Sequence, residues 1–367
     1  MLNPTFRIIC ILMNKIAASF ITALSAIFLY MSLKNLFSKK TALLCTLIYA
    51  FATNTWAISS QSLWQHGAVE LFLAILIYLV VMNEKQENQN NFFLMGVVSG
   101  LFIFGRPPDS ILLLPVLYYV FIHNNTEKMY YVCAVILVSL PFALYNFYFF
   151  NNVFGGYISN TSGFGFHFDA LYRFLGLLIS PNRGLLIFSP VCLLAIFGIS
   201  GIRKFPSKHM QYFFIVMAIS VVCQIILYSF FIAWWGGHCY GPRFLTGMLP
   251  FFMIFLAIFF DTFQKTTWTK KNIRKYFILA IIIIFICWSV FVQIVGAFYS
   301  PNGSWNTSPN IDENTHRLWD WNDLQILRSF WAGPCPNGIW FLEQFITDNF
   351  LKKSPLTLWY LTNSPRP

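Results

Sequence analysis

Residues 234–244 read Trp-Trp-Gly-Gly-His-Cys-Tyr-Gly-Pro-Arg-Phe, a polar, glycine-rich and aromatic turn between two long apolar runs, with Arg243 at the mouth of the second. The segment Ser180-Pro181-Asn182-Arg183-Gly184 repeats the arrangement just before Leu185. With Arg106 and Arg173, these two arginines are the only Lys or Arg side chains in the four loops between apolar runs that fall on one side. Arginine presents a planar fork of donors that matches phosphate oxygens two at a time, so a lipid phosphate or diphosphate is the natural ligand. The alternative is that these arginines snorkel to ordinary headgroups or pair with nearby carboxylates.

A second constellation is Trp64-Gln65-His66-Gly67-Ala68-Val69-Glu70. His66 and Glu70 are four apart and share a face if the helix starts near Gln65. Glu70 sits about a turn inside an apolar span, where insertion of a central acid costs roughly 3 kcal/mol. A carboxylate beside a histidine suits a general base for a sugar or lipid hydroxyl. The alternative is a helix-end carboxylate favoured by the dipole and bonded to His66. In Gly105-Arg106-Pro107-Pro108-Asp109, the aspartate stands where it caps the next helix. In the tail, Arg317-Leu318-Trp319-Asp320-Trp321-Asn322-Asp323 sets rings beside carboxylates, which suits stacking on a sugar and equally suits an interfacial aromatic belt.

The elements that must hold these residues are membrane helices. The chain is 57% hydrophobic and only 10% charged, with a mean hydropathy of +0.62, which places it among polytopic membrane proteins rather than soluble ones. Ten apolar runs, at 16–33, 41–58, 67–82, 92–104, 110–122, 130–150, 184–200, 210–232, 243–261 and 276–298, predict an all-α bundle of about ten spans. The fourth and fifth are short, so they are either tilted helices or a hairpin that dips in and returns. The net charge of +11 is not a nucleic-acid patch, because it segregates by loop. Lys34, Lys39, Lys40, Arg203, Lys204, Lys208, Lys265, Lys270, Lys271, Arg274 and Lys275 all fall on one side if the spans alternate, which marks that side as cytoplasmic. The opposite loops, 59–66, 105–109, 151–183 and 233–242, are then extracytoplasmic, as are both termini of a multi-pass protein of the cell membrane. The first run lacks a small-residue cleavage site, which argues against a removable signal.

Two regions follow: a transmembrane domain over 1–298 and an extracytoplasmic aromatic-rich tail over 299–367, read as a small cap. A short interfacial helix is expected over 168–179 and an amphipathic one over 338–351. Most cysteines fall within spans; Cys239 and Cys335 lie outside and are free to pair or not. Asn160, Asn302 and Asn306 begin glycosylation triplets. No His/Cys spacing suggests a metal, no cofactor is implied, and no internal repeat of the transporter kind is visible.

The order Leu-Trp-Gln-His-Gly (63–67), Gly-Arg-Pro (105–107), Tyr-Asn-Phe-Tyr-Phe-Phe-Asn-Asn-Val-Phe-Gly (145–155), Ser-Pro-Asn-Arg-Gly-Leu (180–185), the 234–244 segment and Arg-Leu-Trp-Asp-Trp (317–321) resembles the C-type glycosyltransferase superfamily, which includes protein mannosyltransferases and aminoarabinose transferases. The resemblance implies transfer of a sugar from a polyprenyl-phosphate donor, the substrate, to a lipid, glycan or protein acceptor on the outer face. It implies donor-phosphate contacts from Arg183 and Arg243 and a pocket lined by His66 and His238; beside these, Arg106 is a further phosphate candidate, Trp64, Gln65, Asn182, Trp235 and Tyr240 are pocket candidates, and His66 is also a catalytic candidate. In one respect the chain departs from the family: the loop 59–66 carries no acid, whereas relatives place a catalytic acid in their first large outer loop. The expectation is a chain lacking one N-terminal span and its loop, truncated or inactive, with Glu70 the remaining candidate base. Two other classes fit the same arginines: a flippase for a lipid-linked glycan, and a non-catalytic membrane partner.

Overall fold

The computed structural model describes residues 4–156, 163–166, 168–266, 273–300 and 303–334. Helix α1 (Pro4–Leu36) leads into α2 (Lys39–Phe51) and a single π-turn (Thr55–Ser59); α3 is Gln65–Lys85 and α4 Gln89–Gly105. A 3-10 turn (Pro107–Leu113) continues into α5 (Leu114–Phe121), and α6 is Asn125–Phe150. Then follow α7 (Ala170–Ile179), α8 (Leu185–Phe188), α9 (Val191–Ile199) and α10 (Lys208–Ser229). A second 3-10 turn (Arg243–Met248) starts α11 (Leu249–Lys265), and α12 is Ile273–Phe298. The tail contributes a 3-10 turn (Thr315–Trp319) and α13 (Gln325–Trp331). No strand occurs among the described residues, only isolated bridges such as Phe164 to Phe231.

Among the described residues, six helices are long and apolar enough to cross a membrane: Ile9–Leu36, Gln65–Lys85, Asn125–Phe150, Lys208–Ser229, Arg243–Lys265 and Ile273–Phe298. The other four expected spans are helical but short or broken. Run 41–58 stops at Phe51, where Thr53 Oγ1 donates back to the Tyr49 carbonyl at 2.6 Å and the chain turns into the π-turn. Run 184–200 breaks at Ser189-Pro190, since proline cannot supply the next helical N–H. Runs 92–104 and 110–122 meet at Arg106 and its two following prolines. A helix is present within the expected 168–179 segment, as α7 (Ala170–Ile179). The amphipathic helix expected over 338–351 lies outside the described residues.

The core gathers on α11, where the residues from Leu249 to Ile258 are buried without a break. Helix α9 packs against it, α1 against α3, and α4 against α6. Two of these pairs meet through glycine: a Cβ on Gly198 would come within 1.9 Å of the Phe255 carbonyl oxygen, and one on Gly96 within 2.3 Å of the Tyr131 carbonyl oxygen. Small residues allow this approach where solvent gives helices no drive to associate. Helix α6 keeps only one face against the bundle and leaves Met129, Leu137, Leu144 and Tyr148 exposed, a surface suited to hydrocarbon.

The two ends of the bundle differ in charge. At one end, Phe37 packs on Phe205 with ring centroids 5.7 Å apart, Ser207 donates to Glu84, and Gln264 reaches Thr41 at 3.4 Å. These contacts gather the loops that carry Lys34, Lys39, Lys40, Arg203, Lys204, Lys208 and Lys265. The glycine- and arginine-bearing turns meet at the other end. There the Leu63 N–H donates to Asn14 Oδ1 at 2.6 Å, Ser180 Oγ to the Leu318 carbonyl at 2.6 Å, and Asn182 Nδ2 to the Arg317 carbonyl at 2.8 Å. The described part of the tail is thereby stitched onto the turns.

Candidate functional site

The 234–243 turn depends on left-handed backbone at Gly236 (φ +77°) and Gly237 (φ +69°), a region that side chains with a Cβ rarely adopt. Arg183 holds this turn from beneath. Its Nε donates to the Trp235 carbonyl (3.0 Å), Nη1 to the Asn182 carbonyl (2.7 Å) and Gln325 Oε1 (2.6 Å), and Nη2 to the Gly237 carbonyl (3.3 Å) and Asn306 Oδ1 (2.7 Å). All five guanidinium N–H groups are thus matched by protein oxygens. The Trp305 ring lies 5.0 Å from this guanidinium and 4.5 Å from that of Arg317. Burial pulls Arg183 below its ordinary pKa, with Cys239 and Asp312 acting against the shift and Arg243 and Arg317 adding to it. Arg183, only 1% exposed, does not line the large cavity at this end.

That cavity has a volume of about 1410 Å³. It is walled by the start of α3, the 106–110 turn, the end of α10, the 235–237 turn and the start of the 3-10 turn before α11. Of the residues expected at the site, Trp64, Gln65, His66, Arg106, Trp235 and Arg243 line it. Phe154, Phe164, Tyr228, Phe231 and Phe244 give it a ring-lined, apolar wall.

Arg243 stands at its boundary. The guanidinium lies 4.8 Å from the Trp64 ring and 5.4 Å from that of Phe244. Rings at this distance hold a cation through their quadrupoles without consuming its hydrogen bonds. The Arg243 Nε is buried and has no hydrogen-bond partner among the described residues.

Arg106 is held by several partners. It pairs with Asp109 (2.9 Å), donates from Nη2 to the Tyr228 hydroxyl (2.8 Å), and places Nη1 3.2 Å from His66 Nε2. A guanidinium cannot accept, so His66 Nε2 accepts here and the ring proton resides on Nδ1, which has no partner among the described residues. Asp109 was expected to cap the following helix; the structure corrects this. The turn at Pro107 has no side-chain cap, and the Asp109 carboxylate is buried against Arg106, Gln224 Nε2 (2.9 Å) and the Tyr228 hydroxyl. A buried guanidinium needs a counter-charge more than an exposed helix end needs a cap.

His66 and Glu70 are not brought together as a pair. Glu70 is fully buried and turns toward the π-turn, where Thr55 Oγ1 donates to its Oε1 at 2.6 Å, and it does not line the cavity. Asn182 is buried and spends its side chain on the tail backbone and on the Gln325 N–H (2.6 Å). Tyr240 donates to the Val292 carbonyl at 2.9 Å and packs on Phe188. His238 is exposed and faces a smaller, neighbouring cavity. Arg173 pairs with Asp169 at 2.9 Å. In the tail, Arg317 pairs with Asp323 at 2.9 Å and donates to the Trp305 and Pro309 carbonyls, while Trp319 packs on Tyr172.

The residue that sequence reading passed over is Asp312. It is the only acidic side chain lining the large cavity among the described residues. Its Oδ1 accepts from Trp235 Nε1 at 3.0 Å, and its Oδ2 lies 3.3 Å from His238 Nε2. Nothing local marks it, since it precedes the acidic-aromatic 317–323 segment and becomes informative only once the tail folds over the 234–243 turn. Among the described residues, no three His, Cys, Asp or Glu side chains converge to hold a metal. Cys335, the partner considered for Cys239, lies outside the described residues.

Residues 13–146 match the family model described as Dolichyl-phosphate-mannose-protein mannosyltransferase. The match runs from within α1 to most of α6, including Trp64, His66 and Arg106, and ends before Arg243. It supports the likeness to the C-type glycosyltransferase superfamily, and a membrane glycosyltransferase of the mannosyltransferase type. No curated protein and no solved structure matches the chain.

Proposed function

We propose that this protein transfers a sugar from a polyprenyl-phosphate donor to an acceptor hydroxyl, at the end of the bundle away from its basic loops and so on the outer face. The observation that carries the reading is Arg243, a ring-stacked cation with an unpartnered buried Nε at the edge of a large apolar cavity. An isoprenoid chain fits the ring-lined wall, and its phosphate fits the fork of Arg243. Arg106 and His66 add a second polar edge, while Arg183 serves to fix the turn.

In the reaction, the acceptor oxygen bonds to the anomeric carbon as the bond from that carbon to the phosphate oxygen breaks. The electron pair leaves with the polyprenyl phosphate, whose charge Arg243 stabilises. The acceptor proton passes to the Asp312 carboxylate, which Trp235 and His238 orient at the cavity rim.

Arg243→Ala tests the reading with a mannosyl-phosphoryl-polyprenol donor. Removing a donor group that meets developing charge costs on the order of 100-fold in rate or more. Loss of both donor binding and product is expected, and unchanged binding removes Arg243 from the site. A product with a new glycosidic bond also separates transfer from mere movement of the donor between leaflets.

A further inference from the structure

Behind the Trp64–Arg243 pair lies a second cavity, of about 420 Å³, which shares with the first only those two side chains. Its chemistry is different. Asn14, Gln61, Ser62 and Ser300 supply amides and hydroxyls, and His238 and Lys15 supply cationic or polar tips. Lys15 belongs to the apolar helix Ile9–Leu36, and its ammonium donates to the neutral Gln61 Oε1 at 3.2 Å. None of the ion pairs among the described residues includes it. Half-buried at the turn end of the bundle, this ammonium faces the cavity with hydrogen-bonding capacity beyond its one amide partner, which suits an anionic ligand. The volume lies in the range of roughly 300–1,000 Å³ typical of small-molecule sites.

We propose that this smaller cavity binds the acceptor: a hydroxyl-bearing headgroup that also carries an anionic group, such as a sugar phosphate. This rests on the glycosyltransferase reading above. The donor occupies the ring-lined cavity and the acceptor the polar one, with Arg243 between them as the one cation that faces both. His238 lines the acceptor side and touches Asp312 on the donor side, so the carboxylate that takes the proton is tied to the cavity from which the hydroxyl arrives.

Cys239 offers a native reporter, because it lines the smaller cavity and not the larger. The full chain in lipid nanodiscs, without donor, is treated with an anionic methanethiosulfonate, and the peptide containing Cys239 is followed by mass. Mannose 6-phosphate at a few times its dissociation constant should slow modification about fivefold. Lys15→Gln should abolish that protection, and Ser300→Trp, which fills the cavity from another element, should do the same. No protection by mannose 6-phosphate, or protection undiminished in both variants, overturns the proposal. Equal protection by inorganic phosphate reduces the cavity to an anion site and overturns the headgroup assignment. Because no donor is present, these outcomes are independent of the Arg243→Ala donor measurement.

Discussion

Arg183, Arg106 and Arg243 carry the same guanidinium into three environments. Arg183 meets five oxygens from four separate parts of the chain, Arg106 meets a carboxylate, a phenol and an imidazole, and Arg243 meets two ring faces. Only the last arrangement leaves the fork free for a ligand. Arg183→Lys should therefore act on stability first: a single ammonium cannot satisfy all five acceptors, and each buried group left unmatched costs about 1–3 kcal/mol. A lowered unfolding midpoint in detergent checks this; an unshifted midpoint with selective loss of donor binding would return Arg183 to the binding site. Asp312→Asn removes the proton acceptor and keeps the shape. It should lower transfer on the order of 100-fold, the range of general-base contributions, with donor affinity unchanged. Glu70→Gln, by contrast, keeps the Thr55 contact and should leave transfer within a few fold, so the two variants measured side by side decide which carboxylate is the base.

The helices contribute by how closely they pack and where they break. Gly198 presses α9 onto the backbone of α11, and the obstacle is a carbonyl, not a side chain that can rotate away. Gly198→Leu should cost more than the usual 1–3 kcal/mol of overpacking, read as loss of a cooperative thermal transition. Gly236→Ala adds a Cβ at φ +77°, which costs about 1–2 kcal/mol and shifts the turn that ends in Arg243. Its expected mark is weaker donor binding with modest loss of stability, separable by comparing the two in one preparation. The long helices and the short α7 were legible from apolar run length. The breaks at Thr53 and at Ser189-Pro190 were not, because hydropathy sees composition and not which carbonyls lose their partners.

For the molecule as a whole, sidedness is the decisive property. The lysine-bearing loops meet at one end and the arginine-bearing turns at the other, the separation that loop charge alone had suggested. Lys39→Cys and His238→Cys, each in a background with the eight native cysteines replaced by serine, should label from opposite sides of sealed vesicles with a membrane-impermeant thiol reagent. Labelling of both from the same side would contradict the bundle's polarity, and labelling of position 238 from the cytosol alone would remove the outer-face assignment.

Apolar periodicity and loop charge are local quantities, and they were enough to give the helical membrane bundle, its six long spans and the turns rich in glycine and arginine. The task of each charged side chain is not local. Arg183 is satisfied by Gln325, 142 positions away, and Asp109 by Tyr228, 119 positions away, while Asp312 reaches the cavity rim only through Trp235, 77 positions before it. What a guanidinium or carboxylate can still do for a ligand depends on how much capacity such distant partners leave it, and which partners arrive is settled by packing, not by the residues beside it in the chain.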